Sequence, residues 1–75
     1  MAKFDVRKGQ RYCNADAAFI VWVVDDLLTD SAGVPHARLR RANDPSTQKT
    51  LSTSALRDAR LYRFIGDAPE DTRAA

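Results

Sequence analysis

The chain contains a single thiol and a single imidazole, Cys13 and His36. A cysteine beside a histidine can act as a nucleophile that the imidazole deprotonates. Nothing in the spacing of these two residues brings them together, and the sequence contains no recognisable loop that would bind an oxyanion. We therefore expect a buried, inert Cys13 and a surface His36, and the sequence predicts a protein without catalytic residues that is not an enzyme.

Two adjacent carboxylates, Asp25 and Asp26, are the next candidates, because acidic side chains bind hard metal ions. Neighbouring residues of a strand point to opposite faces, so these carboxylates converge only if the strand bulges at this point. The further acids that a metal site needs are missing nearby, and His36 alone cannot form a transition-metal site. We therefore expect a solvated bend, with no metal and no cofactor.

A basic segment near the middle of the chain indicates binding rather than catalysis. In a strand, the period of two places Ala37 and Leu39 inward and His36, Arg38 and Arg40 outward. Cations on neighbouring strands would extend this row into a stripe of the kind that binds phosphate backbones. The candidate anion-binding residues are Arg38, Arg40, Arg41, Lys49, Arg60 and Arg63.

The alternative is an ordinary solvated face, in which arginines pair with Asp16, Asp44 or Asp58. Residues 1–66 carry 11 Lys/Arg and 7 Asp/Glu, a net charge of +4, which is well below that of strongly basic nucleic-acid-binding domains. Tyr12 or Tyr62 would strengthen the binding hypothesis if either could stack on bases.

Trp22 is the only tryptophan, and two roles are open to it. In peptide-binding barrels an exposed tryptophan contacts proline-rich segments. Here the residue lies between Val21 and Val23 in an apolar run, which favours a place in the core.

Strands must position these side chains. The run at residues 17–24 is rich in β-branched and aromatic residues, which favours a strand. Asp25–Asp26 interrupts the run and predicts a β-bulge or a strong bend. The turn residues Asp30–Gly33 then lead into a return strand, Val34–Arg41. The sequence thus predicts a twisted β-hairpin at the centre of the fold.

Shorter elements flank this hairpin. They are a first strand that begins at residues 4–6 and resumes at 10–13, a loop at 42–47, a short edge strand at 49–53, a helical turn at 55–58 capped by Ser54, and a last strand at 61–65. The predicted core side chains are Phe4, Val6, Tyr12, Phe19, Val21, Trp22, Val23, Val24, Leu27, Leu28, Val34, Leu39, Leu51, Leu56, Leu61, Tyr62, Phe64 and Ile65.

Five short strands with one helical turn before the last describe an all-β fold, a small five-stranded SH3-like barrel. Several segments resemble a group of small bacterial proteins that fold as single SH3-like barrels and have no assigned function. The segments are Gly9–Tyr12, Trp22–Val24, Gly33–Leu39, Asp44–Pro45, Lys49–Ser52 and Leu56–Asp58. The resemblance covers residues 4–65, and it implies a fold without implying an activity.

The length of 75 residues allows one domain with one compact core. We place this domain at residues 1–66 and predict that the acidic segment 67–75 is a disordered tail. The single cysteine rules out an internal disulfide and favours a reducing compartment. The start of the chain lacks the apolar region of a signal peptide, and the apolar run at 17–24 is shorter than the roughly 20 residues that span a bilayer. The sequence predicts a cytoplasmic protein without a membrane anchor.

These observations predict a small non-catalytic binding module whose basic face contacts an anionic partner such as nucleic acid. The alternative is a protein-interaction module that docks by the edge strand at 49–53 or by an aromatic groove. In either case we expect a monomer or a weak homodimer.

Overall fold

The computed structural model describes residues 5–68, in which the apolar run at residues 17–24 forms the first part of the longest strand. The strands are β1 Gln10–Asn14, β2 Ala17–Thr29, β3 Pro35–Arg41, β4 Asp44–Ser52 and β5 Tyr62–Asp67, and a helix of one turn, α1 Thr53–Leu56, lies between β4 and β5. The paired strands are antiparallel and form one sheet in the order β4-β3-β2-β1-β5. The prediction of an all-β fold with five strands and a short helix is confirmed.

The sheet is open. Its edges are β4 and β5, and no strand pairing joins these two edges within residues 5–68. The closed barrel therefore stays a prediction. In the same residues, no helix is long and apolar enough to cross a membrane.

The predicted bulge lies in β2. Val24 pairs with Leu39 and Asp26 pairs with Arg38, so Asp25 is one extra residue on β2. Two carboxylates therefore oppose a single residue of β3, and a bulge of this kind also increases the local twist of the strand. The prediction of a bulge or bend at Asp25–Asp26 is confirmed.

The hairpin turn after β2 is stabilised by one carboxylate. Asp30 Oδ1 accepts hydrogen bonds from the backbone N–H groups of Ala32 and Val34, each over 2.9 Å. These bonds, that of Val34 first, hold the pKa of Asp30 below its usual range. Gly33 has a φ of +83°, a conformation that side-chain-bearing residues avoid. The predicted turn is confirmed.

The main core cluster lies on one face of the sheet, and Cys13 and Val23 are buried outside this cluster. The cluster consists of Val6, Tyr12, Trp22, Val24, Ala37, Leu39 and Leu56. The inward positions predicted for Ala37 and Leu39 are confirmed, and Leu56 brings α1 against the same face. Fully burying one leucine side chain contributes about 1.5–3 kcal/mol, so this small set supplies much of the stability of the domain.

Several predicted core side chains are exposed instead. They are Phe19, Leu27, Leu28, Val34, Leu61, Phe64 and Ile65. The residues of β2 after the bulge extend beyond the part of the strand that β1 covers, Val34 is in the turn, and β5 is an edge strand. A side chain at any of these positions has fewer packing neighbours than a side chain in a central strand.

The exposure of Phe19 has a local cause. Asn14 pairs with Ala17, whereas the preceding residue Cys13 pairs with Val21. Residues 18–20 are therefore extra residues on β2, and the side chain of Phe19 is 80% exposed. The prediction that Phe19 is a core residue is wrong because the regular alternation stops at this irregularity.

The segment before β1 is not a strand. Residues 5–7 have no regular secondary structure, and Phe4 lies outside the described residues. The buried Gln10 side chain holds this segment: its Oε1 accepts from the Arg7 N–H over 2.9 Å, and its Nε2 donates to the Asp5 carbonyl over 3.2 Å. Tyr12 Oη donates to the same Oε1 over 2.8 Å. Side-chain bonds thus take the place of the predicted strand pairing.

The predicted loop at 42–47 is mostly strand. Arg41 pairs with Asp44 and Arg40 pairs with Gln48, so residues 45–47 are extra residues within β4. The Asp44 carboxylate accepts from the hydroxyls of Ser46 and Thr47, over 2.8 and 2.7 Å. The turn residues produce an irregular strand here rather than a break.

Two predicted boundaries near the end of the chain are also wrong. The helix is Thr53–Leu56, and its N-cap is Ser52, whose Oγ accepts from the Ala55 N–H over 3.2 Å. The predicted cap, Ser54, is two residues too late. Asp67, assigned to the tail, is the last residue of β5 and pairs with Gln10. Residues 69–75 of the predicted tail lie outside the described residues.

Candidate anion-binding surface

The strand register decides which cations share a face, because directly paired residues project on the same side of a sheet. Arg40 pairs with Val23, and Val23 pairs with Arg11 on its other side. Arg63 pairs with Cys13, which lies two residues from Arg11 on β1. The face opposite the core cluster therefore carries four arginines, which we call the outer arginine face: Arg11, Arg38, Arg40 and Arg63.

The acids of the bulge offset part of this charge. Arg40 Nε lies 3.4 Å from Asp25 Oδ1, and Asp26 is paired in register with Arg38. An exposed ion pair of this kind contributes only about 0–1 kcal/mol to stability. Its larger effect is on the local field, since two carboxylates beside Arg38 and Arg40 weaken the attraction of that end of the face for an anion.

The remaining arginines of the outer arginine face, Arg11, Arg38 and Arg63, are not ion-paired in the part of the chain that the structure describes. Arg11 shares this face but was not among the candidate cations of the sequence analysis. The sequence could have predicted this position. Tyr12 was predicted to be a core residue, and the alternation of side chains along β1 directs the adjacent Arg11 to the opposite face.

Arg60 lies in the turn before β5 and is engaged with a neighbour. Its Nη2 and Nε donate to the two carboxylate oxygens of Asp58 over 2.8 and 3.0 Å. This fork holds the pKa of Asp58 at about 2. The pairing with Asp58 that the sequence offered as an alternative is therefore present, and it leaves Arg60 the least available of the candidate cations.

The last two candidates, Arg41 and Lys49, lie on the core side of the sheet. Arg41 pairs with Trp22 and Lys49 pairs with Leu39. Lys49 Nζ lies 4.3 Å from the centroid of the Trp22 ring, and Arg41 Cζ lies 5.8 Å from it. The structure thus divides the six predicted cations into three on the outer arginine face, two beside Trp22, and Arg60 in a turn.

Trp22, Arg41, Lys49, Tyr62 and Asn14 form a group that we call the Trp22 cluster. Lys49 Nζ donates to Tyr62 Oη over 2.6 Å and lies 4.9 Å from the centroid of that ring. Trp22 Nε1 donates to Asn14 Oδ1 over 3.0 Å. Cation–π contacts contribute about 0.5–2 kcal/mol each, more when they are desolvated, so the ammonium of Lys49 is held by two aromatic rings.

The cluster contains two cations and no acid. Neither Arg41 nor Lys49 forms an ion pair with a residue that the structure describes. Asp44 is paired in register with Arg41, and the hydroxyls of Thr47 and Ser46 lower its pKa, with a smaller contribution from the charge of Arg41. The Asp44 carboxylate is therefore held by hydroxyl groups of its own strand.

The aromatic residues considered for ligand binding, Trp22, Tyr12 and Tyr62, differ in their solvent exposure. Trp22 is 7% exposed, which confirms its predicted place in the core. Tyr12 is fully buried, and burial raises its pKa to about 12. Tyr12 therefore cannot stack on a base, whereas Tyr62 is half-buried at the edge of the sheet.

The thiol and the imidazole are not brought together. Cys13 is buried, as expected, and pairs with Val21, whereas His36 pairs with Leu28 at the far end of β2. His36 is half-buried, and its Nδ1 lies 2.9 Å from the Val34 carbonyl oxygen. Within residues 5–68, no three His, Cys, Asp or Glu side chains are grouped as metal ligands.

A groove of about 490 Å³ lies at the opposite end of the molecule. We call it the hairpin groove because the outer half of β2 and the start of β3 form one side of it. Its lining residues are Asp5, Val6, Arg7, Leu27, Leu28, Thr29, Pro35, His36, Thr53 and Arg57. The groove combines exposed leucines with two arginines that form no ion pair in the described chain. No known protein family, curated protein or solved structure matches the chain.

Proposed function

We propose that this protein is a non-catalytic binding module that contacts the phosphate backbone of nucleic acid through the outer arginine face. The observation that carries the proposal is that Arg11, Arg38 and Arg63 share this face without an ion pair among the described residues. Guanidinium groups suit this role because they bind phosphate oxygens with two parallel hydrogen bonds.

The spacing of the strands supports a short contact. Strands lie about 4.8 Å apart, so the face from β3 to β5 spans roughly 14 Å. A strand in a stacked, duplex-like helix carries one phosphate per 3.4 Å of helix axis, so a face of this width corresponds to about four nucleotides of such a strand. Because Asp25 and Asp26 flank Arg38 and Arg40, contacts centred towards Arg11 and Arg63 are favoured.

The fold proposed to present this face is the SH3-like barrel. Its support is the side-chain bond between Lys49 on β4 and Tyr62 on β5, which brings the two edges of the sheet towards each other over the core. A sheet that curls in this way shields its apolar face and leaves the arginine face outward.

Anisotropy of a labelled single-stranded DNA 15-mer and of the matching RNA, at 50 and 200 mM salt, tests the proposal. Binding should weaken with salt, and the double variant Arg38→Gln with Arg63→Gln should flatten the salt slope by about 1.4, since each single-strand phosphate contact contributes about 0.7. Arg60→Gln is the matched control, because Arg60 is already paired with Asp58. No binding at 50 mM salt, or equal binding by both variants, would overturn the proposal.

A second candidate function is protein interaction, which the open edge of β4 and the hairpin groove favour. An exposed strand edge can pair with an extended segment of a partner. This function predicts that a protein co-purifies with the full chain and stays bound at 500 mM salt. A monomeric isolate that carries no partner at low or high salt would contradict it.

A further inference from the structure

The Trp22 cluster places two positive charges against one indole. Lys49 Nζ lies 4.3 Å and Arg41 Cζ lies 5.8 Å from the centroid of the Trp22 ring. The distance between these two atoms therefore cannot exceed the sum of the two values. The two cations repel each other, and the indole is shared between them. An arrangement of this kind becomes more favourable when an anion binds between the charges.

The donors of the two cations are only partly used. One N–H of the Lys49 ammonium is directed at Tyr62 Oη, which leaves two of its three donors. Arg41 Nε is shielded from solvent and has no hydrogen-bond partner among the described residues. Both side chains are half-buried rather than enclosed, so part of each is accessible to an anion from solvent.

The surrounding groups give the site a positive balance. Asn14 from β1, Trp22 from β2 and Tyr62 from β5 are uncharged contributors, and Arg41 and Lys49 supply the two cations. Asp44 is the opposing acid nearest in register, and Ser46 and Thr47 bind its carboxylate.

We propose that Arg41 and Lys49 form a binding site for one phosphate group of a nucleic-acid strand, with Trp22 as its apolar wall. Arg41 supplies a planar fork that matches two phosphate oxygens, and Lys49 supplies a compact charge. The inference rests on the proposed function for the source of the phosphate, but the site can be tested with the free ion.

Trp22 makes the test direct, because it is the only tryptophan of the chain. The full chain is titrated with inorganic phosphate at constant ionic strength, set with sodium chloride. Fluorescence and the indole N–H signal of ¹⁵N NMR are followed together. We expect a saturable change that weakens at least tenfold in Lys49→Met and in Arg41→Gln. Lys49→Met keeps an unbranched apolar chain over the indole while removing the charge.

Matched variants separate binding from loss of structure. Arg41→Lys keeps the charge and should retain part of the response. Lys8→Ala removes one charge just before β1, at the end of that strand that lies away from Asn14. This variant should bind phosphate like the wild type. A dispersed NMR spectrum for each variant shows that it is folded. An indole signal that follows phosphate no differently from chloride would overturn the proposal, as would an undiminished response in Lys49→Met.

Further ligands distinguish the source of the phosphate. Oligothymidylate with and without a 5′-phosphate compares a terminal monoester with internal diesters, and glutamate tests carboxylates. Saturation by phosphate without any response to either oligonucleotide would support the site and contradict nucleic acid as its ligand. An equal response to glutamate would overturn the phosphate class and point to acidic peptides. Oligonucleotide binding that is lost in Arg38→Gln with Arg63→Gln, but leaves the indole unmoved, would support the outer arginine face alone and overturn nucleic acid as the ligand of the Trp22 site.

Discussion

Lys49 on β4 donates a hydrogen bond to the Tyr62 hydroxyl on β5 over 2.6 Å. These are the two edge strands, which no backbone pairing connects within residues 5–68. The contact passes across the indole of Trp22, which Lys49 approaches to 4.3 Å. A single long side chain therefore ties the two edges of an open sheet to each other and to the core.

A double-mutant cycle on this pair should give a coupling free energy of about 1.5–3 kcal/mol, the usual contribution of a hydrogen bond that involves a charged group. The variants are Tyr62→Phe, Lys49→Met and both together, with the free energy of unfolding measured in urea. The cycle removes the contribution of Lys49 to Trp22 because that contact is lost in both arms. Lys8→Met with Tyr62→Phe is the control pair and should be additive. Additivity in the Lys49 cycle as well would contradict a bond between the edges.

Two leucines near the end of the chain should respond very differently to truncation. Leu56 is fully buried, whereas Leu61 is 50% exposed. Leu56→Ala should lower the free energy of unfolding by about 2–5 kcal/mol, because it leaves a cavity under α1. Leu61→Ala is the matched control and should cost less than about 1 kcal/mol. Urea unfolding of both variants checks this, and equal losses would show that the helix does not close the core as described.

The N-cap of α1 offers a comparison between two neighbouring serines. Ser52 Oγ accepts the Ala55 N–H, so Ser52→Ala should reduce the free energy of unfolding by about 1 kcal/mol. Ser54 Oγ is bonded only to Ser52 Oγ among the described residues, over 3.3 Å, so Ser54→Ala should cost only a few tenths. Thermal unfolding of the two variants measures the difference. If Ser54→Ala reduced the free energy of unfolding more than Ser52→Ala does, Ser54 would be the N-cap of α1, as the sequence predicted.

The sequence allowed the central hairpin to be predicted in detail, because its signals are local. Strand propensity, the pair of aspartates and the turn residues each act over a few positions, and period two correctly turned Ala37 and Leu39 inward. The same period would have turned Arg41 away from Arg40, since they are adjacent. Grouping both in one stripe ignored that alternation, and the structure places Arg41 beside Trp22.

What could not be predicted depends on the order of strands and on irregular pairing. The exposure of Phe64 and Ile65 follows from the place of β5 at an edge, which no local pattern encodes. The position of Lys49 depends on three extra residues in β4. The turn residues Asp44–Pro45 predict an irregularity at this position. They do not distinguish a loop outside the sheet from a bulge within a strand.

The ion pair between Asp58 and Arg60 should appear in the acid titration of the protein. Hydrogen bonds from Arg60 hold the pKa of Asp58 at about 2, below the value of about 3.9 for an unfolded chain. A carboxylate with a lowered pKa stabilises the folded state above its unfolded pKa, and this contribution is lost as the pH falls from about 4 to about 2. The difference in stability between the wild type and Asp58→Asn should therefore be constant near neutral pH and shrink over this interval.

Carboxyl ¹³C NMR should show Asp58 titrating near pH 2 in the wild type and in the control Arg38→Gln, and closer to pH 4 in Arg60→Gln. An unchanged Asp58 midpoint in Arg60→Gln would mean that the fork does not form in solution, and would return Arg60 to the cations free to bind an anion.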